Sequence, residues 1–200
     1  MFGKKDKVWT GLEYQVVNHF DEDIKTVKFV NKSNNKDPEY ANAGDSGFDL
    51  RAWVTESDEN AKLDKDSGKY FIVLKSFETR LIHTGLYVEL PEYTEGQVRT
   101  RSGMALKQQL VVTNSPGTID RFYTGEIGII ITNLSKKAKT IMNGDRIAQF
   151  VVCPVYPKEL IDFKKVEEIN TNKERGQNGF GSSGIKIGRA SCRERVCLYV

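Results

Sequence analysis

The chain has 200 residues, 28% of them charged, and a formal net charge of only +3. That balance excludes long-range attraction to a nucleic-acid polymer or an anionic membrane, so any basic site must be local. No apolar run approaches the length of a membrane span, and "MFGKKDKVWTGLEY" at the start lacks the apolar region of a secretory signal. Of the three cysteines, Cys153, Cys192 and Cys197, only Cys153 lies in the patterned part of the chain. A disulfide framework is therefore not expected, and a reducing cytoplasm is the natural setting.

Residues 1–24 have mixed charge and weak periodicity and read as a short N-terminal extension. From "IKTVKFV" onward the pattern is β. The runs "YFIVL", "TRLIHTGLYVEL", "QVRT", "LVVT", "GEIGIIITN", "AKTIM" and "RIAQFVVCPV" follow one another, separated by Gly, Pro, Asn and Asp. Short strands so spaced, with no helical period and no internal repeat, predict an all-β sandwich, jelly roll or barrel over residues 25–173. Residues 54–69 form a polar loop. Its Asp58, Glu59, Asp64 and Asp66 lack the spacing of a calcium loop, so a solvated surface loop is expected. Cys153, in an apolar run, is expected to be a small buried hydrophobe. Two histidines, His19 and His83, leave little room for His-based metal or nucleophile chemistry. Residues 174–186 are glycine-rich and read as an arm that orders on a ligand. Residues 187–200 change composition abruptly and read as a non-native tail, like a translated sequencing adapter.

Five islands interrupt the strands. "AGDSGFDLRA" (43–52) brackets Phe48 with Gly and Asp, and an Asx-type turn before a strand accounts for it as well as a polar role for Asp49 does. "RTRSGMALK" (99–107) places Arg101, Ser102 and Gly103 before residues of good helix propensity. With Ser102 as N-cap, this would be an anion cradle with a planar guanidinium beside it. "TNSPGTIDRFYTG" (113–125) sets Asp120 and Tyr123 in a Pro-Gly turn, which requires neither of them. "NGDRIAQF" (143–150) opens with a hairpin signal that explains Asn143, Gly144 and Asp145 but not Gln149 in an apolar strand. Asp145 and Arg146 are expected to pair with each other. "RGQNGFGSSG" (175–184) has the composition of a linker, yet a linker has no call for Arg175 or Phe180.

Taken in order, "AGDSGFDL", "RSGMA", "PGTIDRFYTGEI", "GDRIAQ" and "RGQNGFGSSG" resemble the five motifs of the trimeric dUTPases, the deoxyuridine triphosphate nucleotidohydrolases. The likeness spans roughly residues 27–184, and "TGLYVELPE" (84–92) also resembles the family's segment before the second motif. Ser183 stands where many relatives have Thr, and the 54–69 loop is long for the family.

The resemblance implies a β jelly roll (β-clip-like) assembled as a homotrimer, each site built by neighbouring chains and closed by the C-terminal arm. It implies hydrolysis of dUTP to dUMP and pyrophosphate, which keeps uracil out of DNA and supplies dUMP for dTMP synthesis. It also implies a cytoplasmic setting, or the host cytoplasm for a viral protein, with no nucleic-acid or membrane partner. Asn114 and the backbone of Gly117, Thr118 and Ile119 would read uracil, leaving cytosine with unpaired buried groups. Tyr123 would lie under the deoxyribose, and Asp120 would deprotonate the water that attacks the α-phosphorus. Arg101, Ser102, Gly103 and Gln149 would grip the α- and β-phosphates, and Arg175, Gly181, Ser182 and Ser183 the γ-phosphate, while Phe180 stacks on uracil. Mg²⁺ would clamp the triphosphate, with Asp49 holding it through water. A dCTP deaminase of the same fold would need an acid placed to protonate cytosine, and "RSGMA" and "GTIDRFYTG" resemble the dUTPase versions instead. A nucleotide-sensing protein on a dUTPase scaffold is the rival from another class, and intact Asp120, Tyr123 and Phe180 argue against a decayed site.

Overall fold

The computed structural model describes residues 25–156 and 158–169. They divide between Leu160 and Ile161 into two units, and the second unit's described residues, 161–169, contain no helix or strand. The first holds twelve described strands: β1 Lys28–Asn31, β2 Phe48–Arg51, β3 Lys62–Asp64, β4 Lys69–Leu74, β5 Thr79–Ile82, β6 Leu86–Glu89, β7 Thr94–Arg99, β8 Leu110–Val112, β9 Gly117–Ile119, β10 Ile129–Asn133, β11 Lys139–Met142 and β12 Arg146–Pro154. A π-helical turn at Met104–Gln108 and a 3₁₀ turn at Lys158–Leu160 complete it. Every pairing is antiparallel. The sheets run β1-β6, β5-β10-β8, β11-β4-β3 and β2-β12-β7-β9.

In β2, β7, β8 and β10 burial falls on every second position, as a strand with one face on the core requires. In β7, Thr94, Gly96 and Val98 are buried while Glu95, Gln97 and Arg99 face outward, where Arg99 donates to Gln97 and Gln97 to Glu95. The core runs through Leu50, Leu74, Ile127, Ile129, Ile131, Ile141, Ile147 and Phe150, all at most 1% exposed. Phe150 stacks on Phe48 with ring centroids 5.2 Å apart. Its ring fills the space over Gly96, where a Cβ would sit 2.2 Å from Phe150 Cζ. Asn133 is fully buried. Its Nδ2 lies within hydrogen-bond reach of the Leu74, Lys75 and Lys137 carbonyls, and its Oδ1 accepts from Ser135 N and Oγ. It ties the end of β10 to the β4 and β11 ends.

The 54–69 segment is not all loop: β3 and the first residue of β4 lie in it, joined by a turn in which Gly68 takes φ +69°. Its acids serve as local acceptors. Asp58 accepts from Thr55 N and Oγ1, and Asp64 from Ser67, whose hydroxyl holds the Asp64 carboxyl below its usual range. No group of three candidate metal ligands occurs among the described residues. Cys153 is only half-buried: it lies opposite the outward-facing Glu95 of β7, and its sulfur accepts from Arg99 Nη2 at 3.4 Å.

Gly96→Ala is expected to force Phe150 off its seat and to cost about 1–3 kcal/mol. Urea unfolding of the two proteins measures it.

Candidate active site

Two register facts build the site. Gln149 of β12 lies opposite Asp49 of β2 on one side and opposite Arg99 of β7 on the other. Phe48 and Phe150 alternate with Asp49 and Gln149, so anchoring the rings inward turns the polar pair outward. β7 then delivers Thr100 to Gly103 beside them. The result is a cleft of about 310 Å³ lined by Asp49, Arg101, Ser102, Gly103, Arg146 and Gln149, with Glu39 and Asp45 at its side.

Asp49 is the electrostatic centre of the cleft. Its Oδ1 meets Arg101 Nε at 2.6 Å and its Oδ2 meets Arg146 Nη1 at 3.2 Å. Arg101 also donates to the Arg146 carbonyl. The expected Asp145–Arg146 pair does not form. Asp145 instead accepts from Met142 N at 2.9 Å, closing the β11–β12 turn around Gly144, whose φ is +90°. Ser102 does not cap a helix: the cap position falls on Gly103, without a side-chain bond, and leads into a five-residue π turn. Ser102 and Gly103 are exposed and line the cleft.

The turn bearing Asp120 and Tyr123 lies elsewhere: none of Asn114, Gly117, Thr118, Ile119, Asp120 and Tyr123 lines that cleft. β9 is the edge strand of its sheet, pairing with β7 alone among the described residues. Its outer side therefore keeps backbone N–H and C=O groups available to another partner. Gly117 is buried beneath the Asn114 amide, which a Cβ there would meet at 3.0 Å. The Asp120 carboxylate is exposed and has no hydrogen bond or ion pair among the described residues, while the Asp120 carbonyl accepts from Tyr123 N. Tyr123 donates its hydroxyl to the Glu126 carbonyl at 2.9 Å. Arg175, Phe180, Gly181, Ser182 and Ser183 lie outside the described residues.

Three residues have roles the sequence reading did not assign. Arg146, expected to pair with Asp145, is the second partner of Asp49. Thr100 joins the two halves: its carbonyl lies 3.4 Å from Gln149 Nε2, its hydroxyl accepts from Val112 N, and its N–H donates to Ser115 Oγ. The one local signal was a β-branched hydroxyl at a strand exit. Glu126, whose carboxylate accepts from Thr84 N and Gly85 N, is the third.

Residues 52–184 match the dUTPase family model. The chain is 46% identical over 159 residues to the deoxyuridine 5'-triphosphate nucleotidohydrolase of Cytophaga hutchinsonii, covering 80% of this chain and 92% of that protein. It is 43% identical to that of Hydrogenobaculum sp., covering 74% and 90%. Among solved structures it resembles a mutant dUTPase of Staphylococcus bacteriophage 80alpha with dUpNHpp (TM-score 0.65, 27% identity, 80% of this chain and 99% of that one). It also resembles a mutant phage phi11 dUTPase described with a structural Mg(II) ion (TM-score 0.58, 25% identity, 72% and 99%).

Thr100→Val keeps the shape but leaves the Val112 N–H unpaired. A loss of about 1–2 kcal/mol is expected, read as a lower thermal midpoint.

Proposed function

The chain belongs to the dUTPase family and hydrolyses dUTP to dUMP and pyrophosphate, and from that membership we propose how its own residues divide the work. The observation that carries the reading is the convergence of Asp49, Arg101–Gly103 and Gln149 on one small cleft, with the Arg101 guanidinium on Asp49 and Ser102 and Gly103 exposed along its lining. That donor set suits the α- and β-phosphates. The free edge of β9 suits uracil, whose two carbonyls flank one N–H: main-chain donors and acceptors there answer that order, and Asn114 over Gly117 closes the tip. Cytosine would bury unpaired groups at the same edge.

Asp120 is the general base. Its unpaired carboxylate takes a proton from water as the water oxygen bonds to the α-phosphorus. The bond from that phosphorus to the bridging oxygen breaks, and pyrophosphate leaves with the electron pair. Tyr123 lies against the deoxyribose, leaving no room for a 2′-hydroxyl. Arg175, Gly181, Ser182 and Ser183 hold the γ-phosphate and Phe180 covers the base, excluding bulk water.

Among the described residues, none of Asn114, Gly117, Thr118, Ile119, Asp120 and Tyr123 lines the cleft formed by Asp49, Arg101 and Gln149. This supports a homotrimer in which neighbouring subunits complete each site.

The donor set also fits Mg²⁺ in one way only. Both Asp49 oxygens already meet guanidinium groups, so Asp49 suits contact with the ion through water rather than direct coordination. When bound, Mg²⁺ neutralises phosphate charge and polarises the phosphoryl oxygens.

Pyrophosphate release is expected from dUTP, and not from dCTP, dTTP or UTP, and to fall on chelation of Mg²⁺. Ammonia from dCTP would overturn the assignment. Asp120→Asn is expected to retain dUTP binding and to lose about 10²–10⁴ in turnover; single-turnover kinetics checks this. Truncation before Arg175 is expected to abolish turnover while leaving a folded trimer, as sized by light scattering.

A further inference from the structure

Tyr123 is 44% exposed, so packing alone does not hold its ring. Two features do: the hydroxyl bond to the Glu126 carbonyl at 2.9 Å, and the bare Cα of Gly125, where a Cβ would lie 2.4 Å from the Tyr123 hydroxyl. The position of Tyr123 therefore depends on where the Glu126 backbone is held.

Glu126 is held by the segment "HTGL" (83–86). Its Oε1 accepts from Thr84 N at 2.9 Å and Gly85 N at 2.7 Å, and its Oε2 lies 3.0 Å from His83 Nδ1. Two more bonds follow: Thr84 Oγ1 donates to the Ile127 carbonyl at 2.6 Å, and Ile127 N donates to the Leu86 carbonyl at 2.8 Å. Ile127 is fully buried, Thr84 nearly so, and the Glu126 side chain is one-fifth exposed. Gly85 takes φ +68°, and a Cβ there would meet Ser33 N at 2.7 Å, so this turn tolerates little else. A carboxylate accepting two backbone N–H groups in such a setting is a firm anchor.

We propose that Glu126 and the Thr84–Gly85 turn form a clasp that positions Tyr123, and through it sets the preference for deoxyribo- over ribonucleotide. Glu126 touches no substrate; it is a positioning residue. The inference rests on the reading of Tyr123 under "Proposed function". It also gives the "TGL" segment a task, since that segment carries no group suited to substrate.

The test compares kcat/KM for dUTP and UTP. Glu126→Ala is expected to lower the dUTP:UTP ratio by about tenfold, through weaker exclusion of the 2′-hydroxyl. Glu126→Gln keeps an oxygen for the two N–H groups and is expected to restore the ratio. Tyr123→Phe, which frees the ring from the Glu126 carbonyl, is expected to lower it alone, and to lower it no further when combined with Glu126→Ala. Should Glu126→Ala not fold, Glu126→Asp, one methylene short of the two N–H groups, carries the same comparison. A variant that loses thermal stability and activity on both nucleotides equally, with the ratio unchanged, overturns the clasp and leaves the dUTPase reading standing. An unaltered protein that cleaves dUTP and UTP alike overturns the role of Tyr123 and the clasp together.

Discussion

Phe150, seated over Gly96 and stacked on Phe48, is the contact on which the rest of the molecule turns. It locks β2, β12 and β7 in one register. A slip of one residue in β2 or β12 would carry Phe48 or Phe150 to the surface and Asp49 or Gln149 into the core, and in β7 it would expose Val98 and bury its polar neighbours. Because the register holds, Gln149 stands between Asp49 and Arg99, and Thr100 to Gly103 emerge beside them. The cleft proposed to take the phosphates is thus the outer face of the same alternation whose inner face is the core.

The ion pairs in that arrangement act on geometry more than on stability. Asp49 and Arg101 are each about one-quarter exposed and Arg146 about half, so their attraction is screened and worth on the order of 0–1 kcal/mol. What they supply is orientation: a carboxylate between two guanidinium groups leaves the remaining donors directed into the cleft. The turn bearing Asp120 and Tyr123 is organised differently. The bonds from the Tyr123 N–H to the Asp120 carbonyl and from the Tyr123 hydroxyl to the Glu126 carbonyl hold it, while the Asp120 carboxylate is exposed and has no partner among the described residues. One half of the site is set by a charged pair and the other by main-chain bonding, which matches a division between gripping phosphates and reading a base.

Much of the strand pattern was legible in advance, because short runs rich in Val, Ile, Leu and Phe, set off by turn residues, become the strands β4 to β8 and β10 to β12. The β11–β12 turn was legible too, since Gly144 adopts the positive φ that "NGD" announces. Other features were not. Arg146 bonds to Asp49, 97 positions away, rather than to its neighbour Asp145, because Asp145 is taken by its own turn. Ser102 matches a cap in sequence, but the cap position falls on Gly103, which has no side chain to bond. The strand β3 inside residues 54–69 was not legible either, since that stretch reads as a polar surface loop.

By itself the sequence determined what local chemistry decides: the strands, the turns that need glycine, and the order of five motifs that marks the family. Tertiary structure alone decided which of those motifs meet. Long-range pairing depends on register and on which partner a side chain reaches first, and neither is written in the spacing of residues along the chain. So Asp49, Arg101, Arg146 and Gln149 become one cleft, and Thr84, Gly85 and Glu126 one clasp, only when the sheet closes around Phe150.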